Sequence, residues 1–536
     1  MKLLLYLLIL TVISVEAQLD GLTVSTQQGP VSGKLSSPNV RQFLGIPFAT
    51  AGRWQAPRIP AIRKSIFNAK DFGDSCVQEL SPANVEFLKL ALGGQGINVT
   101  ESEDCLTVNI WSPAVRRKQN TAVLVWIYGG GTTYGTSNTA TYVGNNLVRD
   151  NDDITVVSFN YRLNIFGQPN APQLISKSAS QNFGLLDVDA AVTWIHDNIA
   201  NFGGDPERIV LFGQSSGAVT ADQYAFAHPD DTKVKGIITQ SGSQVPFLYS
   251  QRHLANLDHD MNFRALLQTQ NTTILDPTPW NTVAAAVGCG NVSNAAQFKC
   301  MLKKPFRTLE NAVLNTSSTF NRVVDDINVF SDTPARSAAG NFLRVPLMGG
   351  TTVNENDIFL LIQELLSTGI STPTISEMLS DVTTLMDFTC LAGVASMDRI
   401  SNGVPMWRYQ YQAIFPDIST RPELRAYHAS EIPLVFGTYN QSTIVLATPA
   451  EIALSKFMQG AWVAFARNPQ QGLLSLGWPM YNPNTTSLAQ LGNPANQSGI
   501  VLTNGSLVDS ACSQTHVLAD IGTQLTGLLV QPGANV

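Results

Sequence analysis

The chain has 536 residues and a net charge of −7, with a sequence pI of about 5.4. A chain of this length can bury a large core without structural metals, and α/β enzymes of this size often form a single unit. The composition is acidic, without a basic run or a stripe of basic and aromatic residues, which argues against a nucleic-acid partner. None of the six cysteines has the C-x-x-C spacing of a zinc site. We expect neither a metal nor a cofactor.

The first seventeen residues have the pattern of a secretory signal peptide. A positive start, Met1-Lys2, precedes a mostly apolar stretch over residues 3–13 that is too short to span a bilayer. Val15-Glu16-Ala17 then fits a cleavage site. No later stretch resembles a transmembrane segment. We therefore expect a secreted, soluble, extracellular protein whose mature chain, residues 18–536, is a single domain.

A secreted chain can form disulfides, and its sequons can carry glycans on surface loops. The cysteines are Cys76, Cys105, Cys289, Cys300, Cys390 and Cys512. The eight N-x-S/T sequons are at Asn98, Asn271, Asn291, Asn315, Asn440, Asn484, Asn496 and Asn504. The spacing of the cysteines alone leaves their pairing open.

The predicted elements begin with a small β region over residues 20–60. A mostly apolar helix is predicted over Pro82–Leu92, between the first two cysteines. Ser81 supplies its N-cap and Pro82 its first residue, and Gly93-Gly94 ends it.

Further along the chain, apolar runs alternate with helical patterns. Strands are predicted over residues 106–111, 122–128, 154–161, 209–212, 345–348 and 406–411. Helices are predicted from Phe183 onward, between residues 250 and 340, and over residues 450–470. The chain after Gly477 is predicted to be a loop-rich tail. Strands that alternate with helices imply a large, mostly parallel sheet with helices on both faces.

The most informative stretch is Arg208–Thr220. Ile209–Phe212 form a short apolar run typical of a strand buried on both faces. Gly213-Gln214-Ser215-Ser216-Gly217 follows directly and matches G-x-S-x-G. A strand, a sharp turn and a helix in that order favour a nucleophile elbow, in which Ser215 is the nucleophile and the Ser216 N–H is free for an oxyanion. The alternative is an ordinary Gly/Ser turn, because G-x-S-x-G alone is a weak pattern.

A serine nucleophile needs a histidine base that is oriented by a carboxylate. In hydrolases with such an elbow the chain order is serine, acid, histidine. Of the six histidines, only His428 and His516 lie far enough downstream. His428 follows a predicted strand and is the preferred base; the alternative is an ordinary surface histidine. Glu355, just after the strand at 345–348, is the preferred acid, and Asp357 is its competitor.

Gly129-Gly130-Gly131 follows another buried apolar run. Without side chains, its backbone N–H groups can approach the oxyanion that develops when an ester carbonyl is attacked. The alternative, a phosphate-binding loop, lacks the Lys-Ser/Thr pair that such loops need.

Together these motifs resemble the type-B carboxylesterase/lipase family, which includes fungal lipases of the Candida rugosa kind and the cholinesterases. The resemblance covers nearly the whole mature chain. Besides the elbow, its landmarks are Ser102-Glu103-Asp104-Cys105-Leu106, Trp126-Ile127-Tyr128-Gly129-Gly130-Gly131, Asn160-Tyr161-Arg162, Gly184-Leu185-Leu186-Asp187 and Asn201-Phe202-Gly203-Gly204-Asp205-Pro206.

The resemblance implies an α/β-hydrolase fold and a carboxylic-ester hydrolase, with Ser215 as nucleophile, Glu355 as acid and His428 as base. The implied oxyanion hole consists of the N–H groups of Gly130, Gly131 and Ser216. The implied cross-links and ion pairs are Cys76–Cys105, Cys289–Cys300, Arg53–Glu103 and Arg162–Asp187. Cys390 and Cys512 lie outside these pairs, and we expect them to pair with each other.

Three residues depart from the family pattern. Gln214 stands where cholinesterases have Glu. Ser216 replaces the usual Ala, and we expect little effect because only its N–H is used. Asn356 replaces the usual Gly after the acid, so the acid loop is expected to have a different shape.

Two functions fit these observations. The first is a secreted serine esterase or lipase that acts on a small-molecule or lipid ester, whose identity the sequence leaves open. The second is a catalytically silent binding or adhesion member of the same fold. The intact set of serine, acid, histidine and glycines favours the first.

The helix Pro82–Leu92 lies within the loop that a Cys76–Cys105 disulfide would close. Because such loops usually lie on the surface, whereas apolar helices are buried, we expect this helix to cover the mouth of the active site, to be able to shift there, and to contact a lipid interface. The pocket beneath it is expected to include Ile358, Phe359 and Ile362. The alternative is a helix packed permanently on the core.

Overall fold

The computed structural model describes residues 20–244, 272–273, 275–290, 294–368, 376–439 and 445–514. The predicted signal peptide, residues 1–17, lies outside these ranges. So do His516 and three of the sequons, Asn271, Asn291 and Asn440.

A mixed sheet of 11 strands forms the centre of the described part of the chain. In chain order its strands are β1 (Lys34–Ser37), β2 (Val40–Pro47), β3 (Thr107–Pro113), β4 (Thr121–Ile127), β5 (Ile154–Phe159), β6 (Gly204–Gln214), β7 (Val234–Gln240), β8 (Leu347–Thr352), β9 (Met406–Tyr411), β10 (Thr486–Asn493) and β11 (Asn496–Asn504). Across the sheet they lie in the order β11-β10-β9-β8-β7-β6-β4-β5-β3-β2-β1.

The strands from β4 to β10 run parallel to one another. The pairs β1–β2, β2–β3, β3–β5 and β10–β11 are antiparallel. The expected mostly parallel α/β sheet is therefore confirmed, with antiparallel strands added at both edges. Short strands pair outside it: Thr23–Thr26 with Gly29–Ser32, Gly29–Ser32 with Phe67–Asn68, Ser75–Cys76 with Glu101–Ser102, and Thr272–Thr273 with Arg322–Val323.

Helices surround this sheet. They are α1 (Pro82–Leu92), α2 (Asn145–Asp150), α3 (Asn164–Gly167), α4 (Phe183–Asn198), α5 (Ser216–Ala227), α6 (Thr278–Ala286), α7 (Asn294–Leu302), α8 (Phe306–Thr316), α9 (Thr333–Ala339), α10 (Asp357–Thr368), α11 (Glu377–Thr384), α12 (Cys390–Ser401), α13 (Ile432–Phe436), α14 (Pro449–Arg467) and α15 (Gly505–Val508). A π-helical turn, Leu385–Thr389, joins α11 to α12.

The central strands are buried on both faces, as their unbroken apolar runs predict. Every residue of β4 and β5 is buried, so neither shows the alternation of a half-exposed strand. The ring of Trp126 in β4 lies 4.8 Å from that of Phe212 in β6 and 5.1 Å from that of Phe436 in α13. This aromatic packing joins the strand before the elbow to the helix that follows His428.

Helix α1 has the predicted bounds. The Ser81 hydroxyl accepts a hydrogen bond from the backbone N–H of Asn84 at 3.3 Å, and Pro82 takes the first helical position. Gly93 ends the helix in the left-handed region, at φ 59°, where a residue with a Cβ would be strained.

The prediction of a loop-rich tail after Gly477 is wrong. Strands β10 and β11 form an antiparallel hairpin there, and β10 also pairs with β9 through Tyr409 and Ala489. Both strands are rich in Asn, Gly and Ser, which have low β propensity, and pairing with an existing sheet edge overrides that preference. Strand β8 also begins and ends later than predicted, so that it finishes close to Glu355.

The cross-links and ion pairs implied by the family resemblance are present. These disulfides are Cys76–Cys105 and Cys289–Cys300. The separately expected pairing of Cys390 with Cys512 is present as well. Arg162 Nη2 lies 2.7 Å from Asp187 Oδ1, and both side chains are buried. Arg53 Nη2 lies 2.5 Å from Glu103 Oε2.

One described helical stretch, Glu377–Ser401, is long and apolar enough to cross a membrane by length and composition alone. The sequence pattern predicted no such stretch. Core helices of soluble proteins pass the same test, so this is weak evidence for a span. Arg399 in this stretch forms a buried ion pair with Asp222 of α5, and Cys390 is bonded to Cys512. These contacts tie the stretch to the rest of the fold.

Candidate active site

Ser215 lies in the turn between β6 and α5, at φ 57° and ψ −131°. A positive φ is strained for a residue with a Cβ, and close packing around the turn enforces it. A Cβ on Gly217 would lie 2.1 Å from the carbonyl oxygen of Ile127, at the end of β4. Glycine at this position lets α5 begin directly against that strand. Ser215 is only 4% exposed and lines a cavity.

His428 and Glu355 lie on the loops after β9 and β8, and the structure brings them together. Nδ1 of His428 is 2.6 Å from Oε2 of Glu355. The other carboxylate oxygen accepts the backbone N–H of Thr352 at 2.7 Å. Both side chains are buried. A carboxylate held in this way keeps the proton of the imidazole on Nδ1 and leaves Nε2 free to act as an acceptor.

Asp357, the competing acid, has other partners. Its carboxylate accepts bonds from Arg425 at 2.7 and 2.8 Å and from the Ser380 hydroxyl at 2.5 Å. Asp357 is fully buried and neutralised by this arginine. The structure therefore places Glu355, and not Asp357, against His428.

The glycine loop turns back tightly after β4. The N–H groups of Thr133 and Tyr134 both donate to the carbonyl oxygen of Gly130, at 3.0 and 3.1 Å, and Gly130 lies at φ 105°. A Cβ on Gly130 would meet the carbonyl oxygen of Tyr134 at 2.1 Å. The N–H groups of Gly130, Gly131 and Ser216 donate to no acceptor among the described residues. All three are thus available to a ligand at the elbow.

Two residues of the elbow take part in contacts that the sequence analysis missed. Nε2 of His428 lies 3.0 Å from the side-chain nitrogen of Gln214, and within the described chain no hydrogen bond joins His428 to the Ser215 hydroxyl. The Ser216 hydroxyl accepts the backbone N–H of Thr132 at 3.3 Å. Ser216 therefore ties the glycine loop to the elbow, beyond offering its own N–H. For both Gln214 and Ser216, the only sign of such a contact in the sequence was a position next to Ser215.

A second carboxyl group, Glu431, is buried behind the histidine. Its Oε1 accepts from Gln240 Nε2 at 3.0 Å, and its Oε2 has no hydrogen-bond partner among the described residues. Burial, and after it the neighbouring Glu355 carboxylate, raise the pKa of Glu431 to about 7. Glu431 consequently keeps its proton in mildly acidic solution, which limits the negative charge gathered behind His428.

The departure at Asn356 also has a structural consequence. Its backbone N–H donates to Thr384 Oγ1 at 3.1 Å, and its side chain donates to Asp387 Oδ2 at 3.3 Å. The acid loop is therefore attached to α11 through its backbone, as a glycine would also allow, and to the π-helical turn through the Asn356 side chain, which glycine lacks.

A cavity of about 870 Å³ opens over Ser215 and His428. Residues of helix α1, Phe87 among them, line part of it, and the ring of Phe87 stacks on Phe359 of α10 at 5.9 Å. Phe359 and Ile362 line the cavity, but Ile358 does not; it is fully buried in the core instead, because successive helical residues point in different directions. That α1 can shift remains a prediction.

Comparison with known proteins identifies the family. The sequence model of the carboxylesterase family matches residues 20–368 and 364–507. The chain belongs to the carboxylesterase family. The family model thus spans the elbow, the glycine loop and the loops that carry Glu355 and His428.

Relatives within the carboxylesterase family are esterases and lipases. The chain is 31% identical to the chlorogenic acid esterase of Aspergillus niger, over 90% of this chain and 89% of the relative. It is 31% identical to secreted lipase 5 of Gibberella zeae, over 82% and 84%. A solved PNB esterase has a TM-score of 0.71 and 24% identity, covering 92% of this chain and 99% of that one; this likeness shows the α/β-hydrolase fold. The protein is a carboxylic ester hydrolase.

The two acids can be separated by substitution. Glu355→Gln should reduce kcat by about a thousandfold or more, because the amide cannot stabilise an imidazolium or fix its tautomer. Asp357→Asn should instead lower the melting temperature, because removing one partner of a buried ion pair costs about 3 kcal/mol. Steady-state kinetics and thermal unfolding of both variants check this. A normal melting curve with lost turnover in Asp357→Asn, and turnover retained in Glu355→Gln, would move the acid role to Asp357.

The contact of Gln214 predicts a change in pH dependence. In Gln214→Glu a carboxylate replaces the amide 3.0 Å from Nε2 of His428, and an opposite charge at this distance favours the protonated imidazole. A protonated imidazole cannot accept the serine proton. The acidic limb of the kcat/KM profile should therefore move to higher pH by about one unit, measured with a soluble p-nitrophenyl ester. An unchanged profile in an active variant would show that position 214 does not act on the base.

Proposed function

We propose that this hydrolase is secreted and cleaves its ester through a Ser215–His428–Glu355 triad and an acyl-enzyme. The observation that carries the proposal is the 2.6 Å contact between Glu355 and His428, on a histidine that lines the same cavity as Ser215 and the free N–H groups of the glycine loop. The ester-hydrolase activity of the family then needs a nucleophile, a base and an oxyanion site in one place, and this cavity offers all three.

In the first half of the reaction the Ser215 hydroxyl attacks the ester carbonyl. Nε2 of His428 takes the hydroxyl proton, for which the Gln214 amide must give up its contact with that nitrogen. The carbonyl oxygen becomes an oxyanion and accepts bonds from the N–H groups of Gly130, Gly131 and Ser216. The tetrahedral intermediate collapses, His428 passes its proton to the alcohol, and the acyl group stays on Ser215.

In the second half a water molecule attacks the acyl-enzyme. His428 takes one proton of the water, the same N–H groups stabilise the second oxyanion, and the acid leaves as the proton returns to Ser215 Oγ. Glu355 stabilises the imidazolium in both halves without taking its proton.

Secretion and glycosylation belong to the same proposal. Three disulfides suit an oxidising compartment, and one relative is itself a secreted lipase. Of the described sequon asparagines, Asn98, Asn315, Asn484 and Asn496 are exposed and Asn504 is half-buried, so four of them present an accessible side chain.

Removal of the nucleophile tests the mechanism. Ser215→Ala should lower kcat by several orders of magnitude, roughly 10⁴-fold or more, while the melting temperature stays near that of the wild type. A fluorophosphonate should label the wild type at Ser215, seen as an added mass on the elbow peptide, and should not label the variant. A Ser215→Ala protein with a tenth of the original turnover would refute the proposed triad.

Helix α1 is proposed as a cover that long-chain esters must displace. Phe87→Ser with Leu90→Ser removes apolar contacts of this cover, including the stacking on Phe359. Activity on an emulsified long-chain ester should change at least about fivefold more than activity on a soluble short-chain ester, because one buried apolar side chain, Phe87, and one half-buried one, Leu90, are affected. Equal effects on both esters, or a large fall in the melting temperature, would show that α1 is a fixed part of the core.

A further inference from the structure

The cavity over Ser215 contains one acidic side chain. Among the described residues that line it, Glu79 alone is acidic, and none is a lysine or an arginine. An acid without a cationic partner is costly to hold in a partly enclosed site.

Hydrogen bonds hold Glu79 next to the glycine loop. Its backbone N–H donates to the carbonyl oxygen of Thr133 at 2.8 Å, and its own carbonyl oxygen accepts from Asn84 Nδ2 at 2.8 Å. Its Oε2 accepts from Asn164 Nδ2, also at 2.8 Å. Oε1 accepts no hydrogen bond from the described residues, and it is accessible instead of buried. One carboxyl oxygen is thus held by the protein while the other remains available to a ligand.

Polar and apolar groups both line this cavity. The rings of Phe87 and Phe359 lie 6.3 and 5.1 Å from the ring of His428. Glu79 is bonded to the glycine loop instead, and Thr319 and Asn321 add a hydroxyl and an amide to the lining. An ester with one apolar part and one hydroxylated part would match both kinds of lining.

Resting on the proposed function of this site, we propose that Glu79 is a specificity residue that binds a hydroxyl group of the substrate, so that the preferred ester carries hydroxyls on its acid or its alcohol. The free carboxyl oxygen accepts the hydroxyl hydrogen of an ester bound in the same cavity as Ser215. Burial raises the pKa of Glu79 to about 7, so near neutral pH the group is also present as an acid that can donate to a hydroxyl oxygen.

Matched ester pairs test this inference. Methyl p-coumarate against methyl cinnamate adds a hydroxyl to the acid, and glyceryl monobutyrate against propyl butyrate adds hydroxyls to the alcohol. The measured quantity is the ratio of the two kcat/KM values within each pair. Hydrolysis is monitored by pH-stat titration. Because each ratio is internal to one protein, a reduced folded fraction cancels.

The wild type should prefer the hydroxylated member of at least one pair. Glu79→Ala should reduce that preference about tenfold, the usual effect of losing a hydrogen bond to a charged group. Glu79→Gln should retain much of it, since an amide also donates and accepts. Glu86→Gln is the matched control and should leave the ratio unchanged. Glu86 is an acid of α1 that pairs with Lys89 and does not line the cavity.

A cationic substrate is the competing explanation. Choline butyrate against dimethylbutyl butyrate, its neutral isostere, tests it: a preference for choline that disappears in Glu79→Gln, without any preference for hydroxylated esters, would overturn the inference. Unchanged ratios in Glu79→Ala for both hydroxylated pairs would overturn it as well. Hydrolysis of the plain esters by the wild type, and its loss in Ser215→Ala, test the catalytic proposal separately.

Discussion

The left-handed backbone at Ser215 is the constraint on which the rest of the site depends. Such a conformation costs about 1–3 kcal/mol for a residue with a side chain, and the fold maintains it by pressing α5 against the end of β4, where only glycine fits at position 217. The same turn leaves the Ser216 N–H without an intrahelical acceptor, because it is the first residue of α5. The proposed nucleophile and one of the proposed oxyanion donors therefore lie in one strained turn.

The parallel arrangement of the sheet brings the remaining parts to this turn. The glycine loop follows β4, the Glu355 loop follows β8 and the His428 loop follows β9, so all of them meet at the carboxyl edge of the sheet. The last two loops are also joined directly, since the His428 N–H donates to the Glu355 carbonyl oxygen at 3.3 Å and the Asn354 N–H donates to Ala426 at 3.1 Å. The proposed acid and base are thus positioned as one unit.

The departures from the family pattern concentrate around this unit, and each adds a contact. Gln214 reaches His428, Ser216 reaches Thr132, and Asn356 reaches Asp387. Burial raises the pKa of the Asp387 carboxyl group to about 7. Together with Glu431, it places carboxyl groups that readily hold a proton near the acid loop and the base. Limited charge in a buried site is favourable, because each unpaired ion there is costly to desolvate.

The sequence by itself determined the elbow, the chain order of the triad candidates, the bounds of α1 and the mostly parallel sheet. These depend on local signals, namely apolar runs, glycines and caps, which act over a few residues. It left Glu355 and Asp357 as rivals and gave no sign of the hairpin β10–β11 or of the contacts made by Gln214 and Glu79. Tertiary structure decided these features, because each depends on which distant groups lie next to the residue in the fold. Arg425 binds Asp357, and His428 binds Glu355. Strand β9 supplies the hydrogen bonds that residues of low β propensity need to form a strand.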